Sequence, residues 1–370
     1  MTQPSRMLSF TFFAAALLLL PSRTAAQSIK SPRTPGMSNL RQRGFAHSEH
    51  ALISQTADPR SGAFTFVTID VPNATFTIPT GIGPSGDVVG IYGDASFNEH
   101  GFLLSHGSFT TIDVPGALVG ASGILQTEAN GINPAGGIVG DYFAPPGAPG
   151  APECHIAFSP ACRRGFLYSN GQFSDVLVPG KRGSIPNSIT PDGTIYGCDH
   201  NDDYFGSMVG FGRTAFGTFI TLDAGGGELQ DPAQAVTASM NNGATPNGKI
   251  IVGLYADPPV PGGTYHGYVV ENGKFAPYDV PGSVLTQIWG INASADFVGL
   301  YDDANGYEHG FLRRWGESAP ITIDVPSDPP FNSILTDAFG INSAGHVVGL
   351  YIDSGGNAHG FLAVLVPDPE

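Results

Sequence analysis

Three histidines recur at one position of a repeated motif, each with an aspartate a few residues before it. A tyrosine precedes each aspartate by two residues, and the pairs are Asp94 with His100, Asp303 with His309, and Asp353 with His359. A carboxylate beside an imidazole can transfer protons or bind a metal ion. One aspartate and one histidine fall short of the three or four ligands that zinc needs. We therefore interpret the pairs as structural: each aspartate caps a turn, and each histidine bonds to it or to backbone.

Residues that depart from the repeat are better candidates for a ligand site, because a site needs features that the other units lack. Carboxylates near a histidine can act as general acids or bases, or hold a cation. The alternative is a solvated acidic loop. The candidate ligand-binding residues are Glu153 and His155 in the second unit, Asp199, His200, Asp202, Asp203 and Tyr204 in the third, and His266 in the fourth.

The chain has three cysteines, and their spacing argues against a metal site. Cys154 and Cys162 lie in one irregular loop beside Arg163 and Arg164. In an exported protein these two cysteines could form a disulfide, and Cys198 would then have no cysteine partner. No Cys-x-x-Cys pair is present. Calcium is conceivable in the loop 302–306, but this loop offers fewer than the six to eight oxygens that calcium prefers and has no EF-hand pattern. We predict no metal and no cofactor.

These residues belong to two sequence motifs, or phrases, each of which the chain repeats six times. The first runs Gly-Ile-Asn, a turn, Val-Val-Gly-x-Tyr, a loop and His-Gly-Phe-Leu, and its clearest copy spans 340–362. The second is Phe-Thr-Thr-Ile-Asp-Val-Pro, as at 109–115. Each unit reads as four short strands joined by tight turns. The glycine that recurs in the second strand predicts a place where another backbone comes close.

Four-stranded antiparallel units at a period of about 40–50 residues are typical of a β-propeller. The chain begins with a lone fourth strand, 64–72, and its last unit lacks one. We therefore predict an all-β, six-bladed propeller of four-stranded antiparallel blades, closed by the N-terminal strand. A parallel β-solenoid is the competing fold.

The Gly-Ile-Asn-x-x-Gly-x-Val-Val-Gly-x-Tyr…His-Gly-Phe-Leu phrase resembles a bacterial extracellular repeat family named for its His-Ala-Phe (HAF) signature. The resemblance covers residues 64 to 366, with glycine written in place of the alanine of the signature. It implies an exported repeat protein of unassigned activity and brings no catalytic residues.

The sequences of the two ends and the net charge limit the expected location of the protein and the partners that it can bind. Residues 1–26 show the basic, apolar and small-residue order of a secretory signal, with a membrane anchor as the alternative. Residues 27–62 read as a disordered leader or linker, 63–366 as the propeller, and 367–370 as a tail. With 16 basic against 32 acidic residues, a nucleic-acid partner is disfavoured. We expect a bacterial protein that is secreted, periplasmic or on the cell surface, with no membrane span in the mature chain.

Insertions point to the functional side of the ring. In such a blade, the loop from the second to the third strand and the loop to the next blade emerge at the same edge. The long loops, such as 141–164, 199–207 and 224–236, all fall there. We therefore expect a binding module for an extracellular glycan, a peptide or an envelope component. The alternatives are a hydrolase or lyase acting on a polysaccharide or lactone, and a purely structural envelope protein.

Overall fold

The computed structural model describes residues 64–117, 127–145, 147, 163–200, 208–222, 239–257 and 264–366, with only the backbone of His200. The predicted signal, leader and tail lie outside the described residues. So do Glu153, His155, Asp202, Asp203 and Tyr204, and the proposed disulfide between Cys154 and Cys162. All the described residues belong to one compact unit.

The strands form six four-stranded antiparallel sheets, which we call blades I to VI. Blade I contains β2 (Phe76–Ile82), β3 (Val88–Gly93), β4 (Glu99–Ser105) and β5 (Ser108–Ile112). Blade II contains β6 (Thr127–Ile132), β7 (Ile138–Phe143), β8 (Arg163–Ser169) and β9 (Gln172–Val176). Blade III contains β10 (Gly183–Ile189), β11 (Ile195–His200), β12 (Met208–Arg213) and β13 (Phe219–Thr221).

The remaining blades follow the same plan. Blade IV contains β14 (Ser239–Ala244), β15 (Ile250–Asp257), β16 (Thr264–Glu271) and β17 (Lys274–Tyr278). Blade V contains β18 (Leu285–Ile291), β19 (Phe297–Asp302), β20 (Glu308–Arg313) and β21 (Ile321–Ile323). Blade VI contains β22 (Ser333–Ile341), β23 (Val347–Asp353), β24 (Ala358–Leu365) and, as its fourth strand, β1 (Phe64–Ile69).

The pairing of β1 with β24 closes the ring. The two strands run antiparallel in a register from Phe64 opposite Leu365 to Ile69 opposite Gly360. Each first strand packs against the blade before it, and β2 of blade I packs against β23 and β24 of blade VI. The predicted six-bladed propeller, closed by the N-terminal strand, is therefore confirmed. The solenoid alternative is wrong, because every strand pair is antiparallel.

The recurring glycine of the second strand lies under a backbone carbonyl of the first strand, as predicted. A Cβ atom on Gly140, Gly299 or Gly349 would lie 1.9 Å from a carbonyl oxygen of the first strand, that of the residue just before its pairing partner. The same close approach, at 2.0 to 2.2 Å, occurs at Gly90, Gly197 and Gly253. Any side chain here would push the two innermost strands apart.

Hydrogen bonds near the axis link each blade to the next, and the sequence analysis missed them. At the bulge in the first strand of blades I to IV, a side chain donates to a backbone carbonyl of the following blade, as from Thr80 to Ala129 (2.6 Å) and from Asn242 to Ile288 (2.7 Å). The asparagine of Gly-Ile-Asn does the same: Asn342 caps its own turn and donates to the Gly83 carbonyl across the ring closure (3.3 Å).

Candidate functional site

The two faces of the ring differ in their connections. We call the edge that carries the links from second to third strand and from blade to blade the insertion face, and the opposite edge the turn face. Described turns on the turn face are short and hold their own side-chain caps, such as Asn133, Thr190 and Asn292. The longest connections between described strands all lie on the insertion face. A functional site is therefore sought there.

The repeated histidines lie at the insertion face, and their nearest carboxylate is one that the sequence analysis did not assign. In blade I, His100 Nδ1 lies 2.9 Å from Asp113 at the end of the fourth strand, and its ring stacks on Tyr92. The loop aspartate, Asp94, is more distant at 3.6 Å from Nε2. The same stack and strand-four contact recur for His266 with Asp279, His309 with Asp324, and His359 with Asp70.

The loop aspartates accept hydrogen bonds from their own turns. Asp303 Oδ1 accepts the backbone N–H groups of Asn305 (2.8 Å) and Tyr307 (2.9 Å), and Asp94 and Asp353 have equivalent contacts. These bonds, led by that from Tyr307, lower the pKa of Asp303. The strand-four carboxylates raise the pKa of His100, His309 and His359, which favours the charged imidazolium.

Blade II replaces this arrangement with a different ion pair. Arg164 stands at the histidine position, and Leu177 stands where the other blades have the strand-four aspartate. Asp175, two residues earlier, lies 3.0 Å from the Arg164 guanidinium. Blade II thus replaces the histidine–aspartate pair of the other blades with an arginine–aspartate pair. This replacement indicates that the charge pair serves the packing of the blade.

A buried group of charges lies below the insertion face at the interface of blades I and II. Arg163, the first residue of β8, donates from Nε to Asp141 and from Nη2 to Glu128, and its guanidinium lies 5.2 Å from the centre of the Phe143 ring. Glu99 of blade I adds a third carboxyl group to this cluster. All these charged side chains are at least nine-tenths buried.

Three carboxyl groups share one guanidinium here, so the cluster retains protons. Burial, followed by the charge of Glu128, raises the pKa of Glu99 to about 8. Burial also raises the pKa of Glu128 to about 7, against the opposing effect of Arg163. Perturbed carboxyl groups of this kind are common at functional sites. Glu99, Glu128 and Asp141 were not predicted from the sequence, although Asp141 breaks the repeat at a position that is apolar in the other blades.

Of the candidate ligand-binding residues, the structure describes Asp199, the backbone of His200, and His266. Asp199 is buried and lies 3.0 Å from Lys181 Nζ. The backbone of His200 pairs with Gly183 and Met208 at the end of β11. His266 belongs to the repeated histidine arrangement, and Cys198 is buried, which raises the pKa of its thiol.

Exposed apolar side chains are a second feature of the insertion face. Phe97 and Tyr307 lie in the loops between the second and third strands of blades I and V and are 57% and 66% exposed. Val284 and Ile334 lie where the chain enters blades V and VI, and they are also exposed. Phe97 has φ of 61°, in a loop position where blades V and VI have Gly306 and Gly356. An aromatic residue in this left-handed conformation is strained.

Among the described residues, no group of three or more His, Cys, Asp or Glu side chains is arranged to hold a metal ion. The described segments also include no helix that is long and apolar enough to cross a membrane.

Comparisons with known proteins assign neither a family nor a function to this chain. No protein family and no curated protein matches the sequence. Similar solved structures include TolB from Acinetobacter baumannii, at 12% identity and a TM-score of 0.47, where the match covers 76% of this chain and 64% of TolB. A gluconolactonase from Xanthomonas campestris has 11% identity and a TM-score of 0.47, with 86% and 100% covered. Trypanosoma rangeli sialidase has 10% identity and a TM-score of 0.47, with 85% and 59% covered. This chain thus spans less than two thirds of TolB, and we transfer no function from these proteins.

Proposed function

We propose that this chain is an exported binding module that engages a polypeptide partner through its insertion face. The observation that carries the proposal is Phe97, an aromatic side chain that is 57% exposed on a left-handed backbone. In the free protein this residue costs stability and buries little apolar surface. Glycine, which blades V and VI use at the same place, would avoid the strain. Such a residue is explained if its ring is buried against a partner.

The spread of exposed residues favours a polypeptide over a small ligand. Phe97, Tyr307, Val284 and Ile334 belong to blades I, V and VI, so they span a surface rather than one cavity. Aromatic anchors on a surface of this kind are typical of protein interfaces. The chain carries 32 acidic and 16 basic residues, so a basic partner is electrostatically complementary to it.

A random peptide library displayed on phage tests this proposal with the full chain as the target. We expect enriched peptides that contain Lys or Arg and whose affinity falls at least about tenfold for Phe97→Ala and for Tyr307→Ala. Phe216→Ala is the matched control, because Phe216 is 99% exposed on the turn face. Peptides that depend on Phe216 and are indifferent to Phe97 would contradict the proposal.

An extracellular hydrolase or lyase is the second candidate function, and the Glu99 and Glu128 pair favours it. A protonated carboxyl group beside an ionised one, near a guanidinium, is suited to general acid–base chemistry on a polysaccharide or lactone. This candidate predicts turnover on a panel of such substrates and its loss in Glu128→Gln. If no substrate of the panel is turned over, the enzyme candidate is rejected and the binding module remains.

A further inference from the structure

The acidic pair of blades I and II has a counterpart at the interface of blades V and VI. Glu99 and Glu308 are the first residues of the third strands of blades I and V. Their partners lie on the first strand of the following blade. Glu128 is opposite Asp141, and Asp337 is opposite Leu350, in the same register. The two interfaces can therefore be compared position by position.

The counterpart lacks its guanidinium. The position that Arg163 holds in blade II, the first residue of the third strand, is Ala358 in blade VI. Asp337 is 0% exposed, and among the residues that the structure describes no donor other than the carboxyl group of Glu308 faces its two oxygens. The charges acting on Glu308 and Asp337 come from each other and from Asp302, another carboxylate. A buried carboxylate normally has a charged or hydrogen-bonding partner.

Two aromatic residues lie at the same blade interface. The polar bulge residues of blades I to IV, such as Asn130 and Asn187, are replaced by Trp289 in blade V and Phe339 in blade VI. The two rings pack edge to face, with centroids 5.6 Å apart. Phe339 is two residues along β22 from Asp337. Aromatic rings attract organic cations, so the inner strands of these two blades carry a second feature suited to a cation.

We propose that the interface of blades V and VI binds a guanidinium group at Asp337 and Glu308, presented by an arginine of the partner. This inference rests on the proposed function, since it names the group that the partner inserts. Arg163 shows that this fold accommodates a guanidinium against Glu128, the counterpart of Asp337, whereas its other acceptor, Asp141, is Leu350 in blade VI. The guanidinium would reach this acidic pair from the insertion face, because Glu308 is half-buried and follows the exposed Tyr307.

Calorimetric titration of the full chain with N-acetyl-arginine amide tests the site without knowledge of the partner. We expect saturable one-site binding that is at least about tenfold weaker for Asp337→Asn. N-acetyl-citrulline amide has nearly the same shape without the charge, and it should not bind. Ala358→Arg should supply a guanidinium from within the chain and abolish binding. Ala344→Arg, on the turn face of the same blade, is the matched control and should leave binding unchanged.

The outcomes separate this inference from the proposed function. Should Ala358→Arg fail to fold, the comparison of wild type with Asp337→Asn decides. Equal affinity for citrulline and arginine amides, or binding that is indifferent to Asp337, would overturn the site. Calcium chloride binding that depends on Asp337, with no binding of arginine amide, would also overturn it. If arginine amide fails to bind while peptide binding still depends on Phe97, this inference falls and the proposed function stands. If arginine amide binds and depends on Asp337 while peptide binding is indifferent to Phe97, the proposed function falls and the site stands.

Discussion

His359 Nδ1 lies 2.8 Å from Asp70 Oδ2, although 289 residues separate the two in sequence. The contact joins the third strand of blade VI to the fourth strand, which comes from the other end of the propeller. A second bond, 3.1 Å between the hydroxyls of Thr68 and Tyr351, lies beside it. A motif that stacks and pairs within a blade elsewhere thus helps to hold the ring closed here.

Loss of this contact should loosen β1. We expect His359→Gln to cost about 1 kcal/mol, a modest value because both side chains are about a quarter exposed. Hydrogen exchange should show faster opening of the β1 amides. His309→Gln, which breaks the same pair inside the contiguous blade V, serves as control and should leave β1 unaffected. Equal exchange in both variants would contradict a role in closure.

The glycine of the second strand should be intolerant of a methyl group. A Cβ on Gly299 would lie 1.9 Å from the Gln287 carbonyl oxygen, so Gly299→Ala should lower the free energy of unfolding by about 3 kcal/mol or more. Gly83→Ala is the control, because its Cβ would meet no atom closer than 3.6 Å. Denaturant unfolding measures both, and similar losses would show that the close approach is unimportant.

The buried carboxyl cluster should make stability fall as pH rises. Glu99 has a pKa of about 8 in the folded chain, against an ordinary value of 4.5. Between these values the folded state keeps a proton that the unfolded state loses. The free energy of unfolding then decreases by about 1.4 kcal/mol per pH unit for each proton retained.

Glu99→Gln isolates this effect. The variant should show a shallower decline in stability from pH 5 to about pH 8, and it should be the more stable protein at the upper end. The histidines with raised pKa act in the same direction in both proteins, so the difference between the two curves reports on the cluster. Identical slopes in urea titrations across this range would refute the assignment.

The strain at Phe97 can be separated from the role of its ring. Phe97→Gly should raise the free energy of unfolding by up to about 1 kcal/mol, because glycine accepts φ of 61°. Phe97→Ala removes the ring and keeps the left-handed backbone of an L-residue, so it should bring no gain. Thermal unfolding of the two variants gives the comparison. Destabilisation by glycine would show that the ring is anchored within the free protein.

Much of the fold could be predicted because the repeat displays its periodicity directly. The lone strand at 64–72, together with a last unit that lacks a fourth strand, indicated a closed ring, and the second-strand glycine indicated a close backbone approach. The axial network could not be predicted in this way, because Thr80 and Asn242 find their partners across a blade interface that a single unit does not reveal.

The candidate site was harder to predict for a related reason. Glu128 and Asp337 occupy a position that is Ile78, Ile185 or Met240 in other blades, and they stand out only once the blades are aligned in space. Their partners, Glu99 and Glu308, lie on the neighbouring blade. The histidines drew attention because they repeat, yet their repetition reflects packing with a strand-four aspartate.

The central claim is that a basic partner binds at the insertion face of blades V, VI and I, and a footprint tests it most directly. Hydrogen–deuterium exchange of the full chain, with and without a peptide selected on it, should show protection at 94–100, 302–309 and 333–338. The turns at 214–218 and 342–346 on the turn face should remain unchanged. Protection confined to those turns, with none at the three insertion-face segments, would contradict the claim.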